Sequence, residues 1–360
     1  MADCIIIGGG LIGMLTAREL QQAGAEVLIL ERGKLGRESS WAGGGILSPL
    51  YPWRYGDAVN QLASYGQQVY SQLAESLLEE SGVDPEYTQS GMLVLDYQEK
   101  DSAIKWADNW QKQLHPLSLQ KDIQNIEPAI NPEIKQALWM SEIAQMRNPR
   151  LIKALKGSLE NRSIQYIEQA EVTALNIDRG AVKSVDAGSQ NYAADKVVIA
   201  GGAWSHDILQ SYAKPPEIKP VKGQMILFKA RPGLLSTMIL SDGRYLIPRR
   251  DGRILAGSTL EHTGFNKDTT DSAREDLYQS AIALVPQLID AEIEHHWAGL
   301  RPCTSDGIPY ICSHSEIDGL YLNSGHFRNG VILGAASARL MKDIILQNKP
   351  VLPLQAYELN

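Results

Sequence analysis

Cysteine is scarce in this chain, which has three in 360 residues. Cys4, Cys303 and Cys312 lie far apart or in no spacing typical of metal ligands, so we expect neither a disulfide framework nor a zinc site. No histidine stands with a cysteine or carboxylate in the spacing of a metal site, and His295 and His296 are adjacent rather than one helical turn apart. We therefore expect no bound metal.

Long hydrophobic runs and an excess of positive charge are also missing. No apolar segment approaches the length of a membrane span, and the N-terminus has no basic region before its short apolar run. The formal net charge of −8 argues against a general attraction to nucleic acid or to anionic membranes. No GxSxG turn or nucleophilic-cysteine signature supports hydrolase chemistry. We expect a cytosolic protein with neither nucleic acid nor membrane as a partner.

What the chain has is a glycine-rich turn at its start. Residues 3–7 predict a β-strand, residues 8–13 read GGGLIG, and residues 14–23 predict a helix. Glycines at the first, third and sixth positions of this turn permit close backbone approach to a pyrophosphate, and the helix N-terminus favours its negative charge. Residues 25–30 predict a second strand, followed by Glu31 at the distance where a carboxylate binds ribose hydroxyls. This context predicts a site for an adenine dinucleotide.

Further along, pieces with an α/β pattern alternate with β-rich pieces. We expect Asn148 as the N-cap of a helix that ends near Asn161, followed by strands within residues 165–177 and 196–200. The tail predicts a strand at residues 319–323 and a helix at residues 329–347. Between these pieces, short predicted strands separated by polar turns are typical of a mainly antiparallel sheet; they are residues 89–96, 224–229, 245–248 and 253–258.

These patterns predict an α/β fold, α+β overall, with two domains. The first is a Rossmann-like dinucleotide-binding domain, and the second is an inserted, mainly antiparallel β-sheet domain that binds the substrate. The predicted dinucleotide domain comprises residues 1–88, 147–220 and 297–360. The predicted substrate domain comprises residues 89–146 and 221–296.

Three more segments favour FAD over NAD. Residues 39–46 combine hydroxyls and glycines whose backbone amides could face a second part of a long cofactor, and NAD proteins rarely need such a segment there. Residues 197–205 form a buried-type strand that ends in glycines, which would pass close beneath a nucleotide. Residues 323–334 form a turn that leads into a helix start, where negative charge on a reduced ring would be stabilised.

Over nearly its whole length the chain resembles the FAD-dependent amine oxidases of the D-amino acid oxidase and sarcosine oxidase superfamily, most specifically at residues 299–302 and 325–330. The resemblance implies adenosine near Glu31, Arg32 and Val172, the pyrophosphate on the first glycine turn, and the flavin ring between residues 43–46 and 330–333. It implies non-covalent FAD, because Cys303 is out of the register at which some relatives attach the cofactor. The candidate FAD contacts are Gly8, Gly10, Leu11, Ile12, Gly13, Glu31, Arg32, Ser39, Ser40, Gly43, Gly44, Gly45, Ile46, Val172, Ala200, Gly201, Trp204, Asn329, Gly330, Val331, Ile332 and Leu333.

The candidate catalytic residues are Tyr245, Arg301 and Arg328. Oxidation of an amino acid at a flavin requires its carboxylate to be fixed so that the Cα–H points at the ring, and a buried arginine does this with two hydrogen bonds. The resemblance gives this role to Arg301, with help from the Tyr245 hydroxyl, and implies that Arg328 lines the same pocket or fixes the turn beside the flavin. The structural alternatives are a surface ion pair for Arg301 and a sheet-packing role for Tyr245.

The aromatic and proline-rich residues 50–55 have two equally weighted interpretations. They either line or cover the substrate entrance, or they pack between the two domains.

The expected reaction is hydride transfer from Cα of glycine, sarcosine or a small D-amino acid to FAD. The resulting imine hydrolyses to a 2-oxo acid, glyoxylate from glycine, with ammonia or an amine, while dioxygen reoxidises the cofactor to give hydrogen peroxide. The expected partners are thus a small amino acid or amine and dioxygen; the oligomeric state is open, and a homo-oligomer is one possibility. One alternative is a D-amino acid or proline-type dehydrogenase with another electron acceptor, and a second is a non-catalytic FAD-binding subunit. Whether such an enzyme serves thiamine biosynthesis or amine catabolism depends on metabolic context.

Overall fold

The computed structural model describes residues 2–212 and 214–359. In chain order its strands are β1 (Cys4–Ile7), β2 (Val27–Leu30), β3 (Met92–Val94), β4 (His115–Leu117), β5 (Ala137–Met140), β6 (Gln165–Ile167), β7 (Val172–Asp178), β8 (Ala181–Ala187), β9 (Gln190–Ala193), β10 (Val197–Ile199), β11 (Lys219–Lys229), β12 (Met238–Ser241), β13 (Arg244–Pro248), β14 (Arg253–Gly257), β15 (Glu292–Cys303), β16 (Tyr310–Ser313) and β17 (Leu320–Ser324). Its α-helices are α1 (Leu11–Gln22), α2 (Ser39–Ala42), α3 (Asp57–Ser81), α4 (Lys100–Trp110), α5 (Gln120–Ile126), α6 (Asn148–Asn161), α7 (Ser205–Leu209), α8 (Asp271–Leu284) and α9 (Gly330–Ile345).

The first sheet has the order β16-β17-β10-β1-β2-β6, and all its pairs are parallel except the edge pair β16 and β17. Because successive side chains of a strand point to opposite faces, the apolar run of β1 is buried on both sides. Ile6 packs with α1, α3, α6 and α9, whereas Ile5 and Ile7 pack with β7 and β8. This arrangement confirms the predicted Rossmann-like domain, whose ligand edge lies at the carboxyl ends of the parallel strands.

The second sheet has the order β15-β11-β14-β13-β12-β3-β5-β4 and is antiparallel except for the pair β12 and β3. One face packs against α8 in a core that contains Phe228 and Leu277. The other face carries Met225 and Tyr245 and packs against α4 and the segment around Tyr51. The predicted, mainly antiparallel second sheet is therefore confirmed.

Two local predictions differ from the structure. The predicted strand region 165–177 contains two strands, because β6 pairs with β2 whereas β7 turns away and joins β8 and β9 in a separate three-stranded sheet. Helix α6 begins at Asn148 as expected, but Asn148 is not its N-cap: the cap position is Arg147, and no side chain caps the helix there. The Asn148 amide is used elsewhere, as described below.

Two boundaries of the predicted division into two domains fall inside strands. The boundary at 220/221 cuts β11 and the boundary at 296/297 cuts β15, and these two strands pair along their whole lengths. Both strands therefore belong entirely to the second sheet. Within residues 2–212 and 214–359, no helix combines the length and apolar character that crossing a membrane requires.

Candidate active site

A cavity of about 420 Å³ lies between the two large sheets. Glu31 and Val172 line it on the side of the first sheet, and Tyr245 and Arg301 line it on the side of the second. A concave site at the carboxyl ends of parallel strands is where ligands bind in open α/β sheets. The cavity thus brings the predicted dinucleotide site and the predicted catalytic residues together.

The glycines of the first turn lie at positions that have no room for a side chain. Gly8 has φ +112°, and a Cβ there would lie 2.4 Å from the Ala200 carbonyl oxygen. A Cβ on Gly13 would lie 2.0 Å from the Gly8 carbonyl oxygen. Helix α1 starts directly behind this turn, and the Leu11 N–H donates to Ser40 Oγ at 2.9 Å. The turn is therefore a backbone cradle beside a helix N-terminus, which fits a pyrophosphate.

Glu31, at the end of β2, is held by backbone N–H groups. Its Oε2 accepts a hydrogen bond from Gly9 N at 2.7 Å, and its Oε1 accepts one from Gly33 N at 2.7 Å. These bonds fix the carboxylate where it lines the cavity. Because a carboxylate can accept about four hydrogen bonds, capacity remains for ribose hydroxyls.

At the Glu31 end of the cavity, a guanidinium and two aromatic rings are stacked. The Arg32 guanidinium lies 3.7 Å from the centre of the Trp204 ring, and Phe265 stacks on the same tryptophan with ring centres 5.4 Å apart. Arg32 and Trp204 both line the cavity, together with Val172. Phe265 reaches this place from the loop after β14, so both parts of the chain contribute to this end of the site.

The loop at residues 43–46 lines the cavity and packs closely against the residues behind it. Gly45 has φ +77°, and a Cβ there would lie 2.0 Å from the Met146 carbonyl oxygen. A Cβ on Gly44 would lie 2.8 Å from Ile247 Cδ1. Arg249 Nη2 donates to the Gly44 carbonyl at 2.8 Å, and burial lowers the pKa of Arg249 to about 10. A buried guanidinium thus holds the loop from behind.

Asn148 lines the cavity, although its sequence context predicts a helix N-cap. It is 1 % exposed, its Nδ2 donates to the Ser40 carbonyl at 2.7 Å, and its Oδ1 has no hydrogen-bond partner in the part of the chain that the structure describes. A Cβ on Gly45 would lie 2.6 Å from that Oδ1. A buried acceptor on the cavity wall is costly unless a donor reaches it, so Asn148 is suited to contact a ligand.

Arg301, in β15, is bound by neutral groups. Its Nη1 donates to the carbonyl oxygens of Lys222 and Thr259 at 3.4 and 3.2 Å, and its Nη2 donates to Ser258 Oγ at 2.6 Å. Within residues 2–212 and 214–359 it has no carboxylate within ion-pair distance. This excludes the surface ion pair as an explanation for Arg301 and leaves a cation that faces the cavity.

Tyr245 and Arg328 lie at the same end of the cavity. The Tyr245 hydroxyl lies 3.8 Å from the weak acceptor Met225 Sδ and also interacts with the Arg301 side chain, and Arg328 Nη2 donates to the Gly243 carbonyl at 3.3 Å. Burial lowers the pKa of Arg301; Tyr245 opposes this shift, and the positive charge of Arg328 adds to it. The structure therefore groups two guanidinium ions and a phenol, which suits an anionic ligand.

The aromatic segment at residues 50–55 combines both of its interpretations. Leu50 lines the cavity, whereas Tyr51 is 2 % exposed and packs with the core of the second sheet. The Tyr51 hydroxyl donates to Asp96 Oδ2 at 2.7 Å and accepts from Gly243 N at 2.8 Å. Trp53 packs edge-to-face on Tyr51. The segment therefore supplies one lining side chain, and its aromatic rings are mainly structural.

Most predicted FAD contacts lie on the cavity wall, namely Gly8, Gly10, Leu11, Ile12, Glu31, Arg32, Ser39, Ser40, Gly43, Gly44, Gly45, Ile46, Val172, Ala200, Gly201, Trp204, Gly330 and Val331. Gly13, Asn329, Ile332 and Leu333 are not part of that wall. Ile332 and Leu333 are fully buried in the core, because the turn of α9 directs them away from the cavity after Gly330 and Val331. Met225 and Asn148 line the cavity without having been predicted to do so, and His326, in the predicted flavin turn, lines it as well.

The wall fits FAD in two independent respects. A glycine cradle at a helix N-terminus suits a pyrophosphate, and a fixed carboxylate at the end of β2 suits a ribose. Asn148 and the loop at residues 43–46 continue the wall toward Tyr245 and Arg301. These are the residues that would hold the cofactor.

Comparison with known proteins also indicates that FAD is the cofactor. A family model described as FAD dependent oxidoreductase matches residues 3–344. The glycine oxidase of Pseudomonas aeruginosa is 44% identical over 354 residues, which cover 98% of this chain and 97% of that protein. The bifunctional protein ThiO/ThiG of Nostoc sp. is 30% identical over 96% of this chain, which matches 53% of that longer protein.

Among solved structures, the glycine oxidase from Geobacillus kaustophilus matches with a TM-score of 0.94 and 28% identity, covering 100% of this chain and 98% of that chain. These matches confirm the predicted superfamily, its fold and FAD as the cofactor. With nearly the whole length matched by the family model and by a relative at 44% identity, this chain belongs to the FAD dependent oxidoreductase family.

Proposed function

We propose that this protein catalyses the FAD-dependent oxidative deamination of glycine, sarcosine or small D-amino acids, with dioxygen as electron acceptor. The products are a 2-oxo acid, ammonia or an amine, and hydrogen peroxide. The observation that carries the proposal is the Arg301 guanidinium, which faces the cavity with neutral hydrogen-bond partners and no carboxylate partner in the described part of the chain. The names of the relatives in Pseudomonas aeruginosa and Geobacillus kaustophilus support glycine as a substrate.

When bound, FAD supplies the hydride acceptor for the oxidation of Cα and, once reduced, the electron donor for dioxygen. The chain supplies orientation: Arg301 binds the substrate carboxylate through paired N–H donors, and the Tyr245 hydroxyl lies at the same end of the cavity to donate a further hydrogen bond. Leu50, Met225 and Ile46 line the cavity and exclude water from the bound substrate.

The positive charges of Arg301 and Arg328 also act on the amino group of the substrate. A substrate ammonium held near Arg301 and Arg328 meets like charges, which favour its neutral amine form. Loss of that proton leaves a lone pair that assists hydride departure from Cα. The reaction therefore needs no side-chain base, provided that the carboxylate is held and the cavity is closed to water.

We further propose a cytoplasmic location, which the three free thiols support because disulfides are uncommon in reducing compartments. A homo-oligomeric state and the two-domain division are proposed from the sequence resemblance and from the two large sheets. Size-exclusion chromatography with light scattering tests the first, and limited proteolysis tests the second.

The deciding experiment follows the flavin absorbance of the purified holoenzyme without air. Glycine, sarcosine, D-alanine and D-proline are added separately, and oxygen is then admitted while peroxide is measured. Bleaching by glycine followed by rapid recovery with peroxide supports the proposal. Bleaching without rapid recovery would indicate a dehydrogenase, and no bleaching by any of the four would contradict an amino acid oxidase.

Arg301→Ala is the matched variant. We expect its KM for glycine to rise about 100-fold, because a charge-assisted pair of hydrogen bonds is lost, while FAD stays bound. Arg231→Ala, which removes an exposed arginine in a turn of the second domain, is the control and keeps the wild-type KM. Unchanged kinetics in Arg301→Ala would remove Arg301 from the proposed role.

A further inference from the structure

The hydrogen bonds of Arg301 leave an incomplete set of donors. A guanidinium has five N–H donors, and the protein takes three of them, through the carbonyls of Lys222 and Thr259 on Nη1 and Ser258 Oγ on Nη2. These three bonds leave Nε and the second Nη2 hydrogen, and among the described residues the further hydrogen-bonding group beside Arg301 is the Tyr245 phenol. Two remaining donors match the two oxygens of one carboxylate.

Of the three protein partners, Ser258 is the one that comes from a side chain. It follows β14, is 4 % exposed, and makes the shortest of the three bonds to Arg301 at 2.6 Å. The other two partners are backbone carbonyls, which no substitution removes. Ser258 is therefore the partner whose substitution can change the orientation of the guanidinium.

The space around Arg301 is arranged for this contact. A Cβ on Gly223 would lie 2.1 Å from Arg301 Nη2, so the absence of a side chain there lets the guanidinium lie flat against β11. β11 and β15 pair with Val221 opposite Arg301 and Gly223 opposite Gly299. Ser258 then meets Nη2 from the end of the neighbouring strand β14.

The backbone that carries Ser258 is itself fixed by a buried polar cluster. Lys222 N and Glu261 N each donate to the other residue's carbonyl at 2.9 Å, and Lys222 Nζ forms an ion pair with Glu261 Oε2 at 2.9 Å. Gln224 Nε2 donates to Glu261 Oε1 at 2.8 Å, and Thr259 Oγ1 donates to the same carboxylate. This cluster ties residues 222–224 to residues 259–261, so the segment beside Ser258 has a defined position.

We propose that Ser258 is a positioning residue that fixes the Arg301 guanidinium so that its two remaining donors face the substrate carboxylate. Without the Ser258 hydroxyl, Nη2 loses this hydrogen bond and the guanidinium can turn about its terminal bonds. Carboxylate affinity falls as a result, while the chemical step on a substrate that is already bound changes little. This inference rests on the proposed function, because it needs Arg301 to bind a carboxylate.

The test measures carboxylate binding apart from turnover. Acetate, which has the carboxylate but no amine to oxidise, is titrated into the holoenzyme while the visible flavin spectrum is followed, and glycine kinetics are measured in parallel. For Ser258→Ala we expect acetate affinity to fall about tenfold and the glycine KM to rise about tenfold, because one hydrogen bond to a charged group is lost, with kcat changed less than about twofold.

Two further variants separate positioning from general damage. Ser258→Thr keeps the hydroxyl and restores acetate affinity to near the wild-type value. Ser258→Cys keeps nearly the same volume but offers only a weak sulfur acceptor, so it behaves like Ser258→Ala and replaces it if the alanine variant does not fold. Ser158→Ala, which removes a buried hydroxyl that donates to Glu80, leaves acetate binding unchanged, because neither residue lines the cavity.

The outcomes distinguish this inference from the proposed function. If the wild-type protein responds to acetate and glycine but Ser258→Ala and Ser258→Cys bind acetate as tightly as wild type, the role of Ser258 is wrong and the proposed function stands. A lowered kcat with unchanged acetate affinity would also overturn it. If the wild-type holoenzyme responds neither to acetate nor to glycine, both proposals fail.

Discussion

The two sides of the cavity differ in the groups that they present to a ligand: mainly backbone on one side and side chains on the other. The side of the first sheet combines the Glu31 carboxylate with tightly packed backbone: Gly8 and Gly45 on the wall, and Gly13 in the same glycine turn as Gly8, lie where a Cβ would meet a carbonyl oxygen at 2.4 Å or less. The wall on the second sheet presents side chains, with Arg301 in β15 and Tyr245 in β13. A large cofactor is thus recognised by shape and N–H groups, whereas a small substrate is recognised by charge. The two walls should consequently respond differently to substitution.

The backbone wall should fail when a single methyl group is added. Gly13→Ala places a Cβ against the Gly8 carbonyl, and we expect an overpacking cost of about 3 kcal/mol, or about 100-fold weaker FAD binding. FAD titration of the apoprotein, followed by flavin fluorescence, measures it. Gly56→Ala is the control, because, apart from its chain neighbours, no described residue has an atom within 4 Å of a Cβ there. If Gly13→Ala retained FAD as the wild type does, the turn would not be the steric cradle described above.

His326 stands where the two walls meet, opposite Cys303 of β15 and ahead of α9. It is 2 % exposed, its Nε2 lies 2.8 Å from Ser337 Oγ, and burial lowers the pKa of His326 to about 3. Since the unfolded chain has a histidine pKa near 6.5, it binds more protons than the folded chain between about pH 3 and 6.5. Folded stability is therefore lost as the pH falls below about 6.5.

The variant His326→Gln removes this titration. Between pH 7.5 and 5.0 we expect the free energy of unfolding of the wild type to fall by about 2 kcal/mol more than that of the variant. Urea unfolding followed by tryptophan fluorescence at the two pH values measures the difference. His295→Gln, at an exposed position of β15, serves as the control. An equal pH dependence in wild type and His326→Gln would show that His326 is not buried in its neutral form.

The smallest effect tests an exception within the backbone wall. Asn148 contributes a side chain there, and its Oδ1, which has no hydrogen-bond partner among the described residues, is a candidate acceptor for a donor on FAD. We expect Asn148→Leu to weaken FAD binding about tenfold, measured by the same titration. Asn131→Leu, at an asparagine whose hydrogen bonds lie outside the cavity, should leave FAD affinity unchanged. Wild-type affinity in Asn148→Leu would mean that the Asn148 side chain does not contribute to FAD binding.

Sequence alone predicts function best where function depends on residues that are neighbours in the chain. The glycine turn, β1, α1, β2 and Glu31 lie within the first 31 residues, and their spacing alone predicts a dinucleotide site. Helix α6 was located at its observed bounds from an Asn-Pro start and an amphipathic pattern. The role given to Asn148 was wrong, because the Ser40 carbonyl, distant in sequence, takes up its amide.

The sequence by itself determined the glycine cradle, the alternation of apolar residues that builds the two large sheets, and the family resemblance. Only the tertiary structure decided that Arg301 has neutral partners rather than an ion pair, that Ser258 holds it, and that Ile332 and Leu333 point into the core. The physical reason is range. Backbone turns and strand periodicity follow from residues a few positions apart, whereas the partners of Arg301 come from segments about 40 and 80 residues away, brought together by the pairing of β11 with β14 and β15.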